Sequence, residues 1–439
     1  MKQLFNSITV KSEFARNVAT LITGTAIAQL INLAFNMYLA RLYAPEFFGS
    51  WALYMSVVTS VFIIACGRYD IAIVAIGDDK DARKLLSLAI LLTLMCSALF
   101  LVLLFFSYLL NISIIPSGLD NWWQWYMPFS VVFLTLTQVF WMWNVRRKSF
   151  RKIAWIRILE PFIIGILAVY YYDSTANGLL WANLAGQFFT LGCISFVTFK
   201  ELSSDSLNYR LSELWTSAKR YIEYPKVNVV QSFLDLFQNS AVLLLLSEEF
   251  PAKVIGFYSL CMRVLYMPSR LIIMPIAQVF LSEASSRYSK GIDLYPLVKK
   301  TLLRTALITL PMLLVLLAAG PYLFSLVFGT QWEEAGQYAR ILIPFICLDF
   351  IRIPITQVAP ILNKQRIVLY ISFVAVALLA MIVLYFGWWL KDVFLTILFI
   401  SISQSIFMIS MIAYLLNIAR NADLHTFPLN EETGGERES

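Results

Sequence analysis

Long uninterrupted apolar runs constrain this chain more than any other feature of its sequence. A helix that crosses a bilayer needs about 20 apolar residues, and twelve segments meet that requirement. Only 14% of the 439 residues are charged, whereas soluble domains carry roughly a quarter. The sequence therefore predicts a multi-pass membrane protein, with spans at 17–40, 47–66, 85–110, 122–144, 153–172, 178–199, 227–247, 254–282, 302–328, 338–362, 367–390 and 393–418.

The apolar runs predict helices and not barrel strands. In lipid every backbone N–H and C=O must be bonded within the chain, which leaves α-helices or closed barrels. Barrel strands alternate apolar and polar residues, and these runs do not alternate. We expect an all-α integral membrane fold of about 12 transmembrane helices.

Basic residues are distributed unevenly over the loops, and this predicts the orientation. Cytoplasmic loops carry an excess of Lys and Arg. With the N-terminus inside, the outer segments hold only four basic residues: Arg41, Lys253, Arg340 and Lys391. We therefore expect both termini in the cytoplasm. The net charge of +7 follows from this topology, so it indicates the lipid bilayer as a partner and gives no reason to expect nucleic acid.

Cysteine and histidine usage excludes several kinds of site. The five cysteines all fall in or beside apolar runs, which is typical of small buried side chains and not of a disulfide framework or a metal site. His425, the only histidine, lies in the polar C-terminal segment. We expect no metal, no cofactor and no histidine-based catalysis. The first span is too long for a signal peptide, so we expect it to be retained.

The longest connection divides the chain into two halves. We assign residues 1–199 to an N-terminal lobe, 200–226 to a linker, 227–418 to a C-terminal lobe and 419–439 to a polar cytoplasmic tail. Apolar residues recur at helical spacing in the linker, namely Leu207, Leu211, Leu214, Trp215, Ala218 and Ile222. They predict an amphipathic helix on the inner membrane surface, with an ordinary surface helix as the alternative.

The two halves resemble each other. "GSWALYMSV" (Gly49–Val57) matches "GFYSLCMRV" (Gly256–Val264), and each follows a proline, Pro45 or Pro251. Reading backward from the prolines without a gap, a polar trio on one helical face of the first half (Thr25, Gln29, Asn32) aligns with Gln231, Asp235 and Gln238. The matches predict a parallel repeat: two six-helix lobes related by a pseudo-two-fold axis along the membrane normal, with a cleft between them. This organisation is typical of transporters; a bundle without a cavity is the alternative.

Charged residues within the spans are candidate site residues. The span 254–282 carries Arg263 and Arg270. Together the two arginines cost about 5–7 kcal/mol at a helix centre, which roughly cancels the gain of about 4–8 kcal/mol from the apolar residues of the span. We therefore expect its arginine face, which also carries Tyr266, to meet water or a countercharge. Pro268 and Pro275 predict a bend in the same helix.

The acidic residues within the spans leave two interpretations of Arg263 and Arg270. Asp349 with Arg352, and Arg157 with Glu160, are spaced for ion pairs within one helix. Arg263 and Arg270 have no such acid in their own helix, so they either line a cavity for an anionic substrate or pair with Asp235 or Asp349. Guanidinium groups suit phosphate because they form a planar, bidentate fork. We expect a lipid-attached phosphate or pyrophosphate as substrate.

Other polar side chains complete the candidate site. Arg352 is a further candidate for the pyrophosphate. Amides in the first and seventh spans suit a sugar, although they can also hydrogen-bond between helices; these are Gln29, Asn32, Asn36, Gln231 and Gln238. Asp235, Asp349 and Glu160 are candidates for coupling to a proton or sodium gradient.

Several stretches resemble one protein family. "SEFARNVATLITGTAIAQL", "ARLYAPEFFGSWALYMSVV" and "GRYDIAI" with "DDKDARKLLSLAI" look like the N-terminal half of Wzx-type O-antigen and exopolysaccharide flippases. These belong to the MATE-like multidrug/oligosaccharidyl-lipid/polysaccharide exporter superfamily. "VIGFYSLCMRVLYMPSRLI" is similar to their second half, so the resemblance covers nearly the whole chain.

The resemblance implies a function. It implies a MATE-like fold and transport of an undecaprenyl-pyrophosphate-linked oligosaccharide across the bacterial inner membrane, for O-antigen, lipopolysaccharide or other surface polysaccharide. It also implies an ion gradient as the energy source, and places polysaccharide polymerase and chain-length machinery among the candidate partners. It supplies no catalytic motif, so the site residues above rest on their chemistry alone.

Two other functions remain open at this point. A MATE-type exporter of organic cations would need a cavity with net negative charge. The spans of the second half instead contain three arginines and only two aspartates. A membrane-embedded glycan polymerase or ligase would need a catalytic region outside the membrane, and the outer loops are short. In the outer loop "QWEEAG", Glu333 and Glu334 are adjacent and point apart on a helix, so we expect a solvated loop there and no enzyme.

Overall fold

A computed structural model of the protein describes residues 23–112, 122–172, 177–202, 209–236, 242–362 and 364–421. These residues form helices and connecting turns and contain no strand, which confirms the all-α membrane fold. Ten of the described helices are long and apolar enough to cross a membrane. The expected first and seventh spans run into residues outside these ranges, as does nearly all of the expected tail.

The first half begins with α1 at residues 23–42. A 3₁₀ turn, Trp123–Tyr126, precedes α5. The helices are α2 (Pro45–Ala65), α3 (Tyr69–Ala75), α4 (Asp79–Leu109), α5 (Met127–Arg146), α6 (Phe150–Tyr170) and α7 (Asn177–Glu201). The short α3 lies in the connection between the expected second and third spans, where the sequence predicted no helix.

The expected linker contains α8 (Leu211–Arg220), and α9 (Glu223–Leu236) begins within it, four residues before the expected seventh span. The helices that follow are α10 (Val242–Ser247), α11 (Ala252–Leu265), α12 (Met274–Ser289), α13 (Tyr295–Phe328), α14 (Glu333–Ile355), α15 (Val358–Ile361), α16 (Gln365–Ile382) and α17 (Val393–Arg420). Two π-helical turns interrupt them, at Ser269–Ile273 and Val383–Trp389.

The helices group into two compact units. The first unit contains the described residues of Met1–Met262, with Pro321–Tyr338 and Ala380–Thr396. The second contains Arg263–Gly320, Ala339–Leu379 and the described residues of Ile397–Ser439. The first unit thus joins the N-terminal half of the sequence to one end of several helices from the C-terminal half.

Packing of small and large side chains holds each unit together, because lipid supplies no hydrophobic driving force between helices. In the first unit, Ala82 and Ala89 of α4 lie against Trp143 of α5 in one buried cluster. In the second, Ala284 of α12 and Met411 of α17 belong to another. Much of the remaining apolar surface is exposed, as expected for helices that face lipid.

Candidate functional site

The helix that carries Arg263 and Arg270 is irregular. α11 ends at Leu265, a turn falls at Tyr266, and a π-helical turn spans Ser269–Ile273 before α12 begins. Pro268 precedes this π-helical turn. Proline has no N–H to donate to the preceding turn, and a wider turn of this kind accommodates the loss. The sequence predicted a bend from the same proline.

The π-helical turn changes how the two arginines are displayed. It inserts extra residues per turn, so the seven-residue spacing no longer places them on one regular helical face. Arg263 is partly buried and is engaged by neighbouring groups, whereas Arg270 is exposed. Among the described residues no acid lies within ion-pair distance of Arg270. An exposed guanidinium in the interior of an apolar helix is stable where it meets water, headgroups or an anion.

Tyr266, Asp349 and Arg352 form a connected polar cluster in the second unit. The Arg352 guanidinium donates to Asp349 Oδ1 from Nε at 3.0 Å and from Nη2 at 2.6 Å. Tyr266 donates its hydroxyl to Asp349 Oδ2 at 3.2 Å. Arg352 Nη1 also donates to Thr356 Oγ1 at 3.2 Å. The ion pair expected from the spacing is therefore present, and Asp349, only 6% exposed, has its charge compensated.

Arg157 occupies a second polar cluster, which lies in the first unit. Its Nη1 donates to Thr25 Oγ1 of α1 at 3.1 Å, and its guanidinium lies 4.8 Å from the ring centroid of Trp141 of α5. The three-residue spacing predicted an ion pair with Glu160, but Arg157 turns towards α1 and α5 and does not come within ion-pair distance of that carboxylate. Glu160 is partly buried and has no hydrogen bond or ion pair to any residue that the structure describes.

The amides predicted for sugar binding are only partly described. On α1, Gln29 and Asn36 are partly buried and Asn32 is exposed. Asn36 Nδ2 donates to the Asn32 backbone oxygen at 2.7 Å and also to the Asn32 side-chain oxygen. The side chains of Asn32 and Asn36 are thus hydrogen-bonded to each other. The side chains of Gln231 and Asp235, and all of Gln238, lie outside the described residues.

Two glycines at matching positions of the repeated segments bring α2 and α11 into close contact. A methyl group built on Gly49 would collide with the Ala252 carbonyl oxygen, and one built on Gly256 would collide with the Pro45 carbonyl oxygen. The contact is reciprocal, because each hypothetical methyl also approaches the backbone nitrogen of the other glycine, at 3.0 and 3.2 Å. Only glycine permits this approach of two backbones.

Trp332 fills the space beside this crossing. Its side chain is fully buried, its Nε1 donates to the Ala40 carbonyl oxygen at 2.6 Å, and its ring lies edge-on to Phe48 at 5.2 Å and to Phe257 at 5.8 Å. Gln331 Nε2 donates to the same carbonyl at 2.7 Å. The sequence predicted a solvated loop here, which is wrong for Trp332. We call Gly49, Gly256, Trp332 and their contacts the glycine–tryptophan seal.

Arg41 adds a further link to this seal. Its Nη2 donates to the Leu326 carbonyl oxygen at 2.6 Å and its Nε to the Val327 carbonyl oxygen at 3.1 Å. These are the free carbonyls of the last turn of α13, which a cation stabilises well. The sequence placed Arg41 in an outer loop without a role. One end of the first unit is thus closed by residues from both halves of the chain.

Comparison with known proteins identifies a family that matches this chain. A family model described as "Polysaccharide biosynthesis protein" matches residues 38–337, which is more than half of the chain. No curated protein matches the chain in sequence.

Solved structures share the fold. An inward-facing multidrug resistance MATE family transporter of the MOP superfamily aligns with a TM-score of 0.70 at 12% identity, over 90% of this chain and 96% of that one. The lipid II flippase MurJ in an inward closed conformation aligns at 0.71 and 14%, over 91% and 87%. A mutant of the MATE transporter VcmN from Vibrio cholerae aligns at 0.59 and 14%, over 95% and 99%. At these low identities, the TM-scores and the coverage establish a likeness of fold, and this likeness confirms the expected MATE-like architecture.

Proposed function

The chain belongs to the polysaccharide biosynthesis protein family, and from this premise we propose that it moves an undecaprenyl-pyrophosphate-linked oligosaccharide from the cytoplasmic to the periplasmic leaflet. The cargo is a repeat unit of O-antigen or another surface polysaccharide. The membrane is the bacterial inner membrane, with both termini in the cytoplasm. The protein acts as a flippase by alternating access and not as an enzyme.

The exposed Arg270 guanidinium is the observation that carries this proposal. It lies in the middle of an apolar helix that runs from Ala252 to Ser289, and no acid among the described residues pairs with it. A diphosphate supplies the charge and the bidentate acceptors that guanidinium prefers. Arg263, seven residues earlier, adds a second cation to the same helix. Arg352 is already bonded to Asp349 and Thr356, so its part is to hold that cluster and Tyr266 in place.

The sugar part of the cargo meets uncharged polar groups. Gln29 and the bonded pair Asn32 and Asn36 line successive turns of α1. Amides donate to and accept from hydroxyl groups without a charge to desolvate. A hydroxyl-rich cargo exchanges its water for such groups at low cost, which favours α1 as the helix that contacts the saccharide.

The glycine–tryptophan seal supports alternating access. In this structure the segments around Gly49, Gly256 and Trp332 are closed on each other, so a cargo cannot pass between them. Transport out of that end requires these contacts to separate. The seal is made of hydrogen bonds to backbone carbonyls and ring contacts, all of which can be exposed to water without leaving a buried charge.

Glu160 is the best candidate for energy coupling. Its carboxylate has no described ion-pair partner, whereas Asp349 is compensated by Arg352; the Asp235 side chain lies outside the described residues. Binding of a proton or a sodium ion removes the cost of an uncompensated charge in the membrane. Glu160→Gln should abolish dependence of transport on the gradient of the coupling ion while cargo binding persists. Unchanged gradient dependence in that variant would contradict the assignment.

The cargo assignment is tested with Arg263→Gln combined with Arg270→Gln. At equal expression, lipid-linked repeat units should accumulate on the inner leaflet and surface polysaccharide should fall. The Lys double variant keeps the charge but loses the bidentate fork, so we expect intermediate export. Arg366→Gln, an exposed arginine at the start of α16, is the matched control and should export normally. Normal surface polysaccharide in the Gln double variant would overturn the proposal.

Export of organic cations is the second candidate, because MATE transporters share the fold. The Glu160 carboxylate is the observation that favours it, because no described residue forms an ion pair with it and an anionic side chain within the membrane attracts a cation. Expression in a strain that lacks its own exporters separates the two candidates. Cation export predicts resistance to cationic dyes that is lost in Glu160→Gln, and flippase function predicts no resistance.

A further inference from the structure

The linker helix α8 is fastened to the first unit along one side. Leu214 and Ala218 are buried in the cluster that includes Trp143 of α5. Arg220 forms an ion pair of 2.8 Å with Asp81, near the start of α4, and Tyr221 donates to the same carboxylate at 2.8 Å. These contacts place α8 at the end of the bundle where α4 begins and α7 ends.

A neighbouring side of α8 exposes large apolar side chains. Leu211 is 70% exposed and Trp215 is 63% exposed, and at about 100° per residue the two lie on one flank next to the buried side. Lys219 continues this flank, with its Nζ 5.6 Å from the Trp215 ring. Ser212 and Thr216 lie opposite the buried side, on the far side of Lys219, and are also exposed. The helix therefore has three faces: one buried in the protein, one apolar with a cation at its edge, and one polar.

The lipid-facing surface of the bundle reaches the level of α8. In the last turns of α7, Phe196 is 71% exposed and Phe199 is 53% exposed, as befits side chains in contact with acyl chains. A tryptophan with an adjacent lysine is typical of the boundary between acyl chains and headgroups. A stable protein interface buries about 800 Å² on each partner, which two exposed side chains cannot supply. The geometry favours a lipid surface as the occupant.

We propose that the flank formed by Leu211, Trp215 and Lys219 docks on the headgroup region of a leaflet that contains anionic lipid. Leu211 and Trp215 enter the boundary of the acyl chains, and the Lys219 ammonium binds the headgroup phosphates. Because Arg220 and Tyr221 fix α8 to Asp81, this docking holds the linker between the protein and the membrane surface. The assignment does not depend on the cargo.

The position of this flank is tested by fluorescence on the full-length protein. The five native cysteines are replaced, and an environment-sensitive fluorophore is attached to Leu211→Cys or, as the matched control on the same helix, to Thr216→Cys. The proteins are reconstituted in vesicles of phosphatidylethanolamine with or without phosphatidylglycerol. We expect lipids with a nitroxide near the headgroup to quench the label at position 211, and aqueous iodide to quench the label at position 216.

The charge dependence is tested in the same vesicles. Phosphatidylglycerol should increase the lipid quenching at position 211, and Lys219→Gln should abolish that increase. Lys226→Gln is the matched control, because Lys226 is exposed and its ammonium lies 3.6 Å from the Glu223 carboxylate; this variant should retain the increase. Equal iodide quenching at positions 211 and 216 would overturn the proposal, and an increase that survives Lys219→Gln would overturn the role of Lys219.

A second measurement uses the protein with its native cysteines. Vesicles containing a photoactivatable phosphatidylglycerol are irradiated, and the crosslinked peptides are identified by mass spectrometry. Crosslinks should appear on the peptide that contains Trp215, and Trp215→Ser should reduce their yield severalfold relative to crosslinks on α7. A yield that is unchanged by this substitution, or an absence of crosslinks on α8 while α7 is labelled, would also overturn the proposal.

Discussion

Gly49 and Gly256 lie against each other where α2 crosses α11, each beneath the backbone carbonyl that precedes the other glycine by four residues. Neither position has room for a Cβ atom. The same two glycines occupy matching positions of the two similar segments in the sequence. The close contact explains why both segments have glycine at this position.

Alanine at either glycine should shift the protein away from the closed state. Overpacking of this kind typically costs 1–3 kcal/mol, which corresponds to a shift of about 5–150-fold between two states. Cys261 is fully buried one turn beyond Gly256 and serves as the reporter. Its rate of labelling by a membrane-impermeant maleimide should rise in Gly49→Ala and in Gly256→Ala.

Gly192→Ala is the control for the glycine substitutions, because a Cβ atom there would meet nothing within 4 Å. Its labelling rate should match that of the unmodified protein. Equal labelling of Cys261 in all four proteins would show that the glycine contact does not hold this end closed.

Trp332→Phe separates the hydrogen bond of the seal from its packing. Phenylalanine keeps a ring against Phe48 and Phe257 but removes the 2.6 Å donor to the Ala40 carbonyl oxygen, which keeps its 2.7 Å donor from Gln331. One lost hydrogen bond to an acceptor that stays bonded costs about 0.5–1.5 kcal/mol, whereas Trp332→Ala also removes the ring and should cost about 3–5 kcal/mol. Thermal denaturation in detergent should rank the unmodified protein above the Phe variant and the Phe variant above the Ala variant. Equal stability of the Phe variant and the unmodified protein would assign the seal to packing alone.

The Asp349–Arg352 pair should be strongly coupled. Removing one partner of a buried pair leaves an uncompensated charge and costs about 3–5 kcal/mol. Asp349→Asn and Arg352→Gln should each lower thermal stability, and the double variant should be less destabilised than the sum of the two. Tyr266→Phe removes the 3.2 Å hydrogen bond to Asp349 but leaves the ion pair intact, so its effect should be smaller than either. Strict additivity in this cycle would contradict the ion pair.

Sequence patterns predicted the features that depend on local spacing. Apolar runs of about 20 residues fix membrane helices, and three residues on a helix bring Asp349 to Arg352. The glycines of the repeat were visible as matched letters, although their contact was not. Each of these inferences needs only the geometry of a single helix.

Partners from distant segments could not be predicted from spacing. Arg157 turns to Thr25, which lies 132 residues away, because tertiary contacts offered a hydroxyl and the Trp141 ring. The π-helical turn at Ser269–Ile273 depends on where the bundle absorbs the bond lost at Pro268. Trp332 was assigned to a solvated loop because its acceptor, the Ala40 carbonyl, belongs to another helix 292 residues away.

Two adjacent arginines at the C-terminal end of α5, Arg146 and Arg147, should differ sharply in their contribution to stability. Arg146 donates to the carbonyl oxygens of Ile73, Ile76 and Gly77 and forms a 2.6 Å ion pair with Asp79. Arg147 is 45% exposed and lies 3.8 Å from the same carboxylate. The planar guanidinium of Arg146 thus closes the turn between α3 and α4, with several donors in fixed directions.

Lysine at each position keeps the charge and removes the fork. An ammonium cannot reach carbonyl acceptors and Asp79 at once, so Arg146→Lys should lose at least two charge-assisted hydrogen bonds and about 2–4 kcal/mol of stability. Arg147→Lys should cost about 0–0.5 kcal/mol, because exposed ion pairs contribute little. Thermal denaturation of the two variants in one detergent gives the comparison. Similar melting temperatures for both would mean that the charge near Asp79, and not the geometry of the guanidinium, stabilises this turn.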